Sequence, residues 1–184
     1  MKRSQINPMP QYYDYYINLV ADVELSEAFD QSIRQLNELD RDLLTRLADQ
    51  TYAPDKWTVK EILQHVIDWE RILSYRGLLF ARGMESGQPD LDQHLLARNS
   101  GPNARTIDSL VDELKSQRMA SRALFESFDD RALRKIGTSW KYETSVLAMG
   151  FMMIGHQIQH LKVIEGKYFP LLQPAPAKPA STSQ

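Results

Sequence analysis

The sequence predicts an all-α protein, a four-helix bundle with a long crossover between the second and third helices. Four long stretches carry apolar residues at spacings of three and four, which is the period of a helix with one buried face. A segment rich in glycine, proline, aspartate and asparagine, residues 83–105, separates the second stretch from the third. At 184 residues the chain can bury one substantial core, so we expect one domain over residues 1–170.

Residues 1–23 combine two prolines with four tyrosines, and we expect this segment to lie against the bundle. Proline disfavours a helix at the residue before it, and a group of aromatic rings favours packing over a free tail. The tyrosines are Tyr12, Tyr13, Tyr15 and Tyr16. Two interpretations are open: the rings border a pocket, or they only cover one end of the core.

The first predicted helix runs from Leu25 to Leu47, where seven apolar residues form one stripe. The second begins at Thr58, because Thr58 and Glu61 have the spacing of a capping box, and it continues to about Ala81. His65 lies about two turns into this helix on its buried face. A buried imidazole needs a polar partner, since leaving it unsatisfied costs about 1–3 kcal/mol.

The crossover of residues 83–105 has room for a short helix around Asp92–Arg98, and loops of this length are often functional. We expect His94 to lie at the solvated surface. The third predicted helix begins at Thr106, with Asp108 near its positive end, and its stripe extends to Phe128. Arg118 lies on that stripe, where it reaches either an anionic group, such as a substrate or a carboxylate partner, or the solvent beyond the core edge.

A polar connection, Asp129–Tyr142, leads to a fourth predicted helix from about Thr144 to Tyr168. Its apolar face includes His156 and His160, which are four residues apart and therefore on the same side of the helix. Beyond it, residues 171–184 are rich in proline and small polar residues and are expected to be disordered.

Charge and composition exclude several classes of partner. The net charge is −2 and no basic face emerges, so we expect no nucleic-acid partner. The charged N-terminus lacks a following apolar run, and the longest apolar run, Val146 to Ile154, is far shorter than the ~20 residues that span a bilayer. We therefore expect neither a secretory signal nor a membrane span. The absence of cysteine agrees with a reducing cytoplasm and leaves histidine and carboxylate as metal ligands.

Three of the four histidines, His65, His156 and His160, fall on inward faces, and this pattern indicates a divalent metal site. The alternative is that they are ordinary core histidines satisfied by their neighbours. Three imidazoles leave a coordination position open, where a zinc ion would bring the pKa of water towards about 7 or would stabilise a substrate thiolate. Both uses of that position stay open.

Two further residues near these histidines bear on the chemistry. Asp68 follows His65 by one turn and either orients a ligand or serves as a base, or it pairs with Arg71 at the surface. Gln157 follows His156, so the HExxH pattern and its protease base are missing, and a zincin protease is not expected.

Several segments resemble the DinB superfamily, also called the DinB/YfiT-like metalloenzymes, from about Met9 to Tyr168. The matching segments are Trp57–Arg71, Tyr75-Arg76, Ala81-Arg82-Gly83, Gly155-His156, His160 and Tyr168. The resemblance implies a four-helix bundle in which His65, His156 and His160 bind a divalent ion. Many members carry His-His where this chain has Gln159-His160, so the assignment of His160 rests on its spacing from His156. Characterised relatives include thiol transferases, a maleylpyruvate isomerase and hydrolases, and the family name refers to expression after DNA damage.

Together these patterns lead to two hypotheses. The first is a cytoplasmic enzyme that uses zinc, nickel, manganese or iron to activate water or a low-molecular-weight thiol against a small electrophilic substrate. The second is a non-catalytic helical bundle that binds a metal or a small ligand and dimerises. Homodimerisation is what the resemblance implies, and no local feature of the sequence decides it.

Overall fold

The computed structural model describes residues 1–84 and 91–172, and four long helices form its bundle. They are α2 (Leu25–Asn37), α4 (Val59–Ala81), α6 (Ile107–Glu126) and α8 (Val146–Val163). Helices α2 and α4 each pack against both α6 and α8. The predicted four-helix bundle is therefore confirmed, and no helix of the described ranges has the length and apolarity to cross a membrane.

Shorter elements connect and cap the bundle. In chain order they are α1 (Asp14–Ile17), α3 (Arg41–Leu47), α5 (Gln93–Asn99), α7 (Asp130–Leu133), β1 (Ile136–Ser139) and β2 (Tyr142–Ser145), with 3-10 turns at Arg3–Gln5, Pro102–Ala104 and Phe169–Leu172 and a π-turn at Ile164–Tyr168. The two strands pair antiparallel, with Ser139 opposite Tyr142 across a two-residue turn.

The prediction of one helix from Leu25 to Leu47 is wrong, because the helix ends at Asn37 and a second helix begins at Arg41. Asp40 adopts an extended backbone and its carboxylate accepts a hydrogen bond from the Leu43 amide at 2.9 Å, which starts α3 as a new helix. Both pieces bury their leucines, so the apolar stripe continues across the break and conceals it.

The start of α4 is as predicted. The Thr58 hydroxyl accepts a hydrogen bond from the Glu61 amide at 3.1 Å, and the Glu61 carboxylate accepts one from the Thr58 amide at 2.6 Å. This capping box satisfies two amide groups that the first turn leaves without helical partners. In the crossover, α5 begins after Asp92, one residue from the predicted position. Residues 85–90, which include Gly87 and Pro89, lie outside the described residues.

The polar connection predicted between the third and fourth helices contains α7 and the β1–β2 hairpin, elements that the sequence analysis did not predict. Gly137 in β1 lies against Phe80, so close that an added Cβ would be 2.6 Å from the ring. Ser145 caps α8, which starts two residues later than predicted and ends at Val163 before the π-turn. Leu171 and Leu172 belong to the last 3-10 turn, and the predicted disordered tail beyond them lies outside the described residues.

Candidate metal centre

Three histidines from two bundle helices converge on one point. His65 comes from α4, and His156 and His160 come from successive turns of α8. The Nε2 atom of His156 lies 3.2 Å from that of His65 and 3.1 Å from that of His160. One ligand nitrogen from each ring lies within 4.8 Å of the other two, and the rings are largely buried.

These distances fit three nitrogens that share one ion. Two imidazole nitrogens at about 2.0–2.1 Å from a metal and 3.1–3.2 Å from each other subtend roughly 100° at it, which is between octahedral and tetrahedral angles. Hydrogen bonding alone satisfies the cluster poorly, because the single in-plane lone pair or hydrogen at His156 Nε2 must serve two neighbours. The donor set therefore fits a divalent ion.

Burial keeps all three rings neutral, which is the form that binds metal. It lowers the pKa of His65 to about 3, with smaller contributions from His160 and His94. It lowers the pKa of His160 to about 4. The pKa of His156 is also held well below its usual value, first by burial and then by the neighbouring His160, His65 and Arg118. Proton competition for these nitrogens is weak near neutral pH.

The N-terminal segment forms one wall of the centre, and Gly155 allows it to do so. A Cβ at Gly155 would lie 1.9 Å from the carbonyl oxygen of Tyr16, so only glycine permits this contact with α8. The Tyr16 ring then packs edge-on against His156, with ring centroids 5.4 Å apart. The expectation that residues 1–23 lie against the bundle is confirmed. On the other side, Trp57 packs against His65 at 4.6 Å between centroids.

The histidines line an open pocket of about 480 Å³ with an unusually aromatic wall. The rings are Tyr12, Tyr13, Tyr16, Trp57, Trp69 and Trp140. Of the two interpretations for the tyrosines, the structure favours the pocket for three. Tyr15 instead is exposed, and its hydroxyl donates to the side-chain Oε1 of Gln159 at 2.7 Å. The volume lies in the range of small-molecule sites.

Arg76 and Trp140 are pocket residues that the sequence analysis did not identify. The Arg76 guanidinium is buried in the pocket wall and donates to the Ser139 hydroxyl at 3.1 Å. Arg76 lies on the buried stripe of α4, three turns after His65, and this position was the signal available in the sequence. Trp140 comes from the hairpin turn, for which no periodic pattern exists.

Other candidate residues are not part of the three-histidine cluster. Asp68 accepts a hydrogen bond from Gln64 at 2.9 Å and lies 3.8 Å from Arg71, so the pairing interpretation holds; burial raises its pKa. His94 is exposed, as predicted. Arg118 is fully buried and makes a two-pronged ion pair with Glu70, both bonds at 2.8 Å, which selects the carboxylate partner among its interpretations.

Comparisons with known proteins agree with this architecture. A model of the DinB superfamily matches residues 28–164. The structure resembles that of YfiT from Bacillus subtilis, described as "a probable metal-dependent hydrolase with an unusual four-helix bundle topology", at 16% identity, 86% coverage of each chain and a TM-score of 0.64. A search of curated proteins finds no match.

A mycothiol-dependent maleylpyruvate isomerase is also similar in structure, at 11% identity and a TM-score of 0.54. The match covers 81% of this chain but only 59% of the isomerase, so the isomerase contains substantial further sequence. At these identities both likenesses show the fold alone.

Proposed function

The chain belongs to the DinB superfamily, and on that premise we propose that it is a metal-dependent enzyme acting on a small electrophilic substrate. The attacking group is either water or a low-molecular-weight thiol. One observation carries this proposal: three neutral imidazoles meet at one point in a pocket of about 480 Å³ that opens to the surface. A site whose only purpose was structural would have no need of an open cavity beside its ligands.

His65, His156 and His160 would hold the ion through their Nε2 atoms. A divalent ion there, zinc, nickel, manganese or iron, would supply a Lewis acid that lowers the pKa of water or a thiol. Because the three imidazoles are neutral, they would leave its charge uncompensated, which would favour an anionic nucleophile.

The chain's own residues orient the ligands and shape the pocket. Tyr16 and Trp57 pack against His156 and His65 and so restrict the rotation of both rings. The aromatic wall displaces water from around the substrate, which strengthens electrostatic interactions inside the pocket. Arg76 brings a positive charge to the same wall, where it would stabilise negative charge that develops on an oxygen of the substrate.

Water and thiol remain two versions of the proposal. The resemblance to YfiT supports a hydrolase, and the resemblance to the mycothiol-dependent isomerase supports the use of a thiol. Among the described lining residues the one carboxylate is Asp92, which is exposed. It is the N-cap of α5 and accepts hydrogen bonds from the amides of His94 and Leu95. A substrate with a good leaving group, which needs no strong general acid, fits this lining best.

Metal content measured by elemental analysis on untagged protein tests the site. We expect about one divalent ion per chain in the wild type, and its loss in the His156→Ala and His160→Ala variants. The matched control is His94→Ala, which removes an exposed histidine near the pocket and should keep the ion. A wild-type protein that holds no ion, even after incubation with each of the four metals, contradicts the proposal.

Turnover then separates the two versions from the non-catalytic alternative. The protein loaded with the ion found above would be assayed with an activated aryl ester and with an aryl halide plus cysteamine. Ester hydrolysis without thiol supports the hydrolase, and thioether formation supports the transferase; either activity should disappear with His156→Ala. A tightly bound ion without turnover of either substrate would favour a bundle that only binds metal, and light scattering would show whether it dimerises.

A further inference from the structure

Two bulky aromatic residues at the pocket hold a backbone conformation that such residues rarely adopt. Tyr12 has a φ of 69° and Trp140 a φ of 57°, both in the left-handed region. Among the described residues one other non-glycine residue has a positive φ, and it is Asp55, a type that tolerates this conformation. Outliers of this kind collect where the surrounding structure uses them for binding.

The strain at Trp140 is not required by the turn that contains it. Trp140 and Lys141 form the two-residue turn between β1 and β2, where glycine or asparagine is the usual choice at the first position. A glycine would make this turn without steric cost. A tryptophan here therefore serves something other than the hairpin itself.

Contacts of these side chains within the protein offset only part of the strain of their positive φ angles. The Tyr12 and Trp140 side chains contact each other at 5.8 Å between ring centroids, and Tyr142 contacts both. Yet Tyr12 is 58% exposed and Trp140 is 47% exposed, so about half of the surface of each residue remains in contact with solvent. Both rings line the pocket that contains the three histidines. We call this pair, Tyr12 and Trp140, the aromatic rim.

The charge beside the rim selects among possible occupants. The Lys141 ammonium group lies 4.3 Å from the centre of the Trp140 ring, over its face. A cationic ligand would meet this like charge, whereas a neutral or anionic aromatic group would not. Aromatic rings at these exposed edges and faces gain most from contact with another flat ring.

We propose that the aromatic rim binds a flat, uncharged or anionic ring of the substrate while the reactive group lies at the three histidines. This inference rests on the proposed function and extends it to a substrate class, the aryl-bearing electrophiles. Tyr12 and Trp140 then act as residues that determine specificity and not as catalytic residues.

Hydroxamic acids test the rim because their head group binds metal ions and their tail is chosen freely. Calorimetry with protein loaded with the ion found by elemental analysis would compare three probes: acetohydroxamic acid, naphthalene-2-carbohydroxamic acid and its fully saturated decalin counterpart. We expect the aromatic probe to bind about 3- to 10-fold more tightly than the saturated one, since a ring pair contributes about that much affinity.

The variants Trp140→Gly and Tyr12→Asn should remove that preference, bringing the two bulky probes within about 2-fold of each other. Both replacements suit a positive φ, so relief of strain opposes the loss of ring contacts, and we expect the Tm to change by less than about 4 °C. Acetohydroxamic acid, which is too short to reach beyond the metal, should bind wild type and variants alike.

Each other result has a separate meaning. An aromatic preference that is absent from the wild type, or that persists unchanged in both variants, overturns the aromatic rim. A change of molecular mass in Trp140→Gly by light scattering also overturns it, because the ring would then serve contact with a second copy. If acetohydroxamic acid fails to bind the wild type loaded with the ion found by elemental analysis, the proposed function itself is wrong, whatever the bulky probes do.

Discussion

Two buried polar clusters both include residues of α4 and α8, yet they differ in how their groups are satisfied. The arginine cluster joins Arg118 to Glu70 on α4, to the Ser32 hydroxyl at 2.9 Å and to the Met153 carbonyl on α8 at 3.2 Å. The histidine cluster lies one to two turns away along both helices. In the arginine cluster, the positive guanidinium group lies against a negative carboxylate, and its hydrogen-bond donors contact acceptors. In the second, three neutral rings point similar atoms at one another.

The two clusters differ in whether the chain itself supplies a partner for every polar group. Both clusters are buried, so burial of polar groups does not distinguish them. Arg118 finds its counter-charge within the chain, and the cluster is complete without a ligand. The three imidazoles do not all satisfy one another by hydrogen bonds, and they face an open pocket; in the proposed function, a cation would satisfy their lone pairs together.

The largest loss of stability should come from removing the charge of Arg118 from the arginine cluster. Arg118→Met leaves the Glu70 carboxylate buried without its counter-charge, and we expect the free energy of unfolding to fall by about 3–5 kcal/mol in urea titrations. The double variant Arg118→Met/Glu70→Leu should recover most of that loss. By contrast, His156→Leu should cost less than about 1.5 kcal/mol in metal-free protein. Equal losses for Arg118→Met and His156→Leu would remove the distinction between the clusters.

Acid should lower the free energy of unfolding of the metal-free protein through the histidine cluster. The folded pKa values of His65 and His160, about 3 and about 4, lie below the unfolded value of about 6.5. The unfolded chain therefore takes up protons first as the pH falls below about 6.5, and stability decreases by up to about 1.4 kcal/mol per pH unit for each histidine until the folded pKa is reached.

The comparison for this pH effect is between variants with EDTA present throughout. His65→Leu/His160→Leu should lose less stability than the wild type between pH 7 and pH 5, by roughly 2 kcal/mol for each replaced histidine. The exposed His94→Leu serves as the matched control and should follow the wild type. Parallel stability curves for the wild type and the double variant would show that the rings are not kept neutral by burial.

A smaller effect is expected from disturbing the wall of the histidine cluster. Gly155→Ala puts a methyl group where the Tyr16 carbonyl lies, and we expect a loss of about 1–3 kcal/mol despite the preference of helices for alanine. The control is Gly166→Ala, where nothing lies within 4 Å of the added Cβ, and this variant should be neutral or more stable by up to about 1 kcal/mol. Hydrogen exchange should locate the Gly155→Ala effect in residues 13–18, and unchanged exchange there would contradict the explanation.

The smallest effect should come from an exposed ion pair. Arg41 reaches Asp108 at 3.0 Å and Asp112 at 2.6 Å, but its side chain is 34% exposed. Arg41→Ala should cost less than about 1 kcal/mol in the same urea titrations. This result would assign the large effect at Arg118 to burial of the charges. A loss as large as that of Arg118→Met would contradict that assignment.

The parts of the fold that the sequence predicts depend on local rules. The cap at Thr58 and Glu61 is a matter of three-residue spacing, and the meeting of His156 with His160 is a matter of one helical turn. His65 joins them because both helices bury the faces that carry these residues. The division at Asp40 escaped prediction because the apolar stripe continues through it.

Irregular and long-range features could not be predicted in the same way. Glu70 was not identified as the partner of Arg118, because 48 residues separate them and helical spacing relates only neighbours on one helix. The aromatic rim joins a segment near residue 12 to a hairpin turn near residue 140, and neither has a periodic pattern. The close contact at Gly155 is visible only when the backbone of Tyr16 is in place.

The separation of the three histidines along the chain also has a consequence for biosynthesis. His156 is synthesised 91 residues after His65, and Gly155 follows its contact Tyr16 by an even longer stretch of chain. On a translating ribosome, the last of these histidines is made after α2, α4 and α6. In the proposed function, an ion held by all three rings would thus be captured only after translation has passed residue 160.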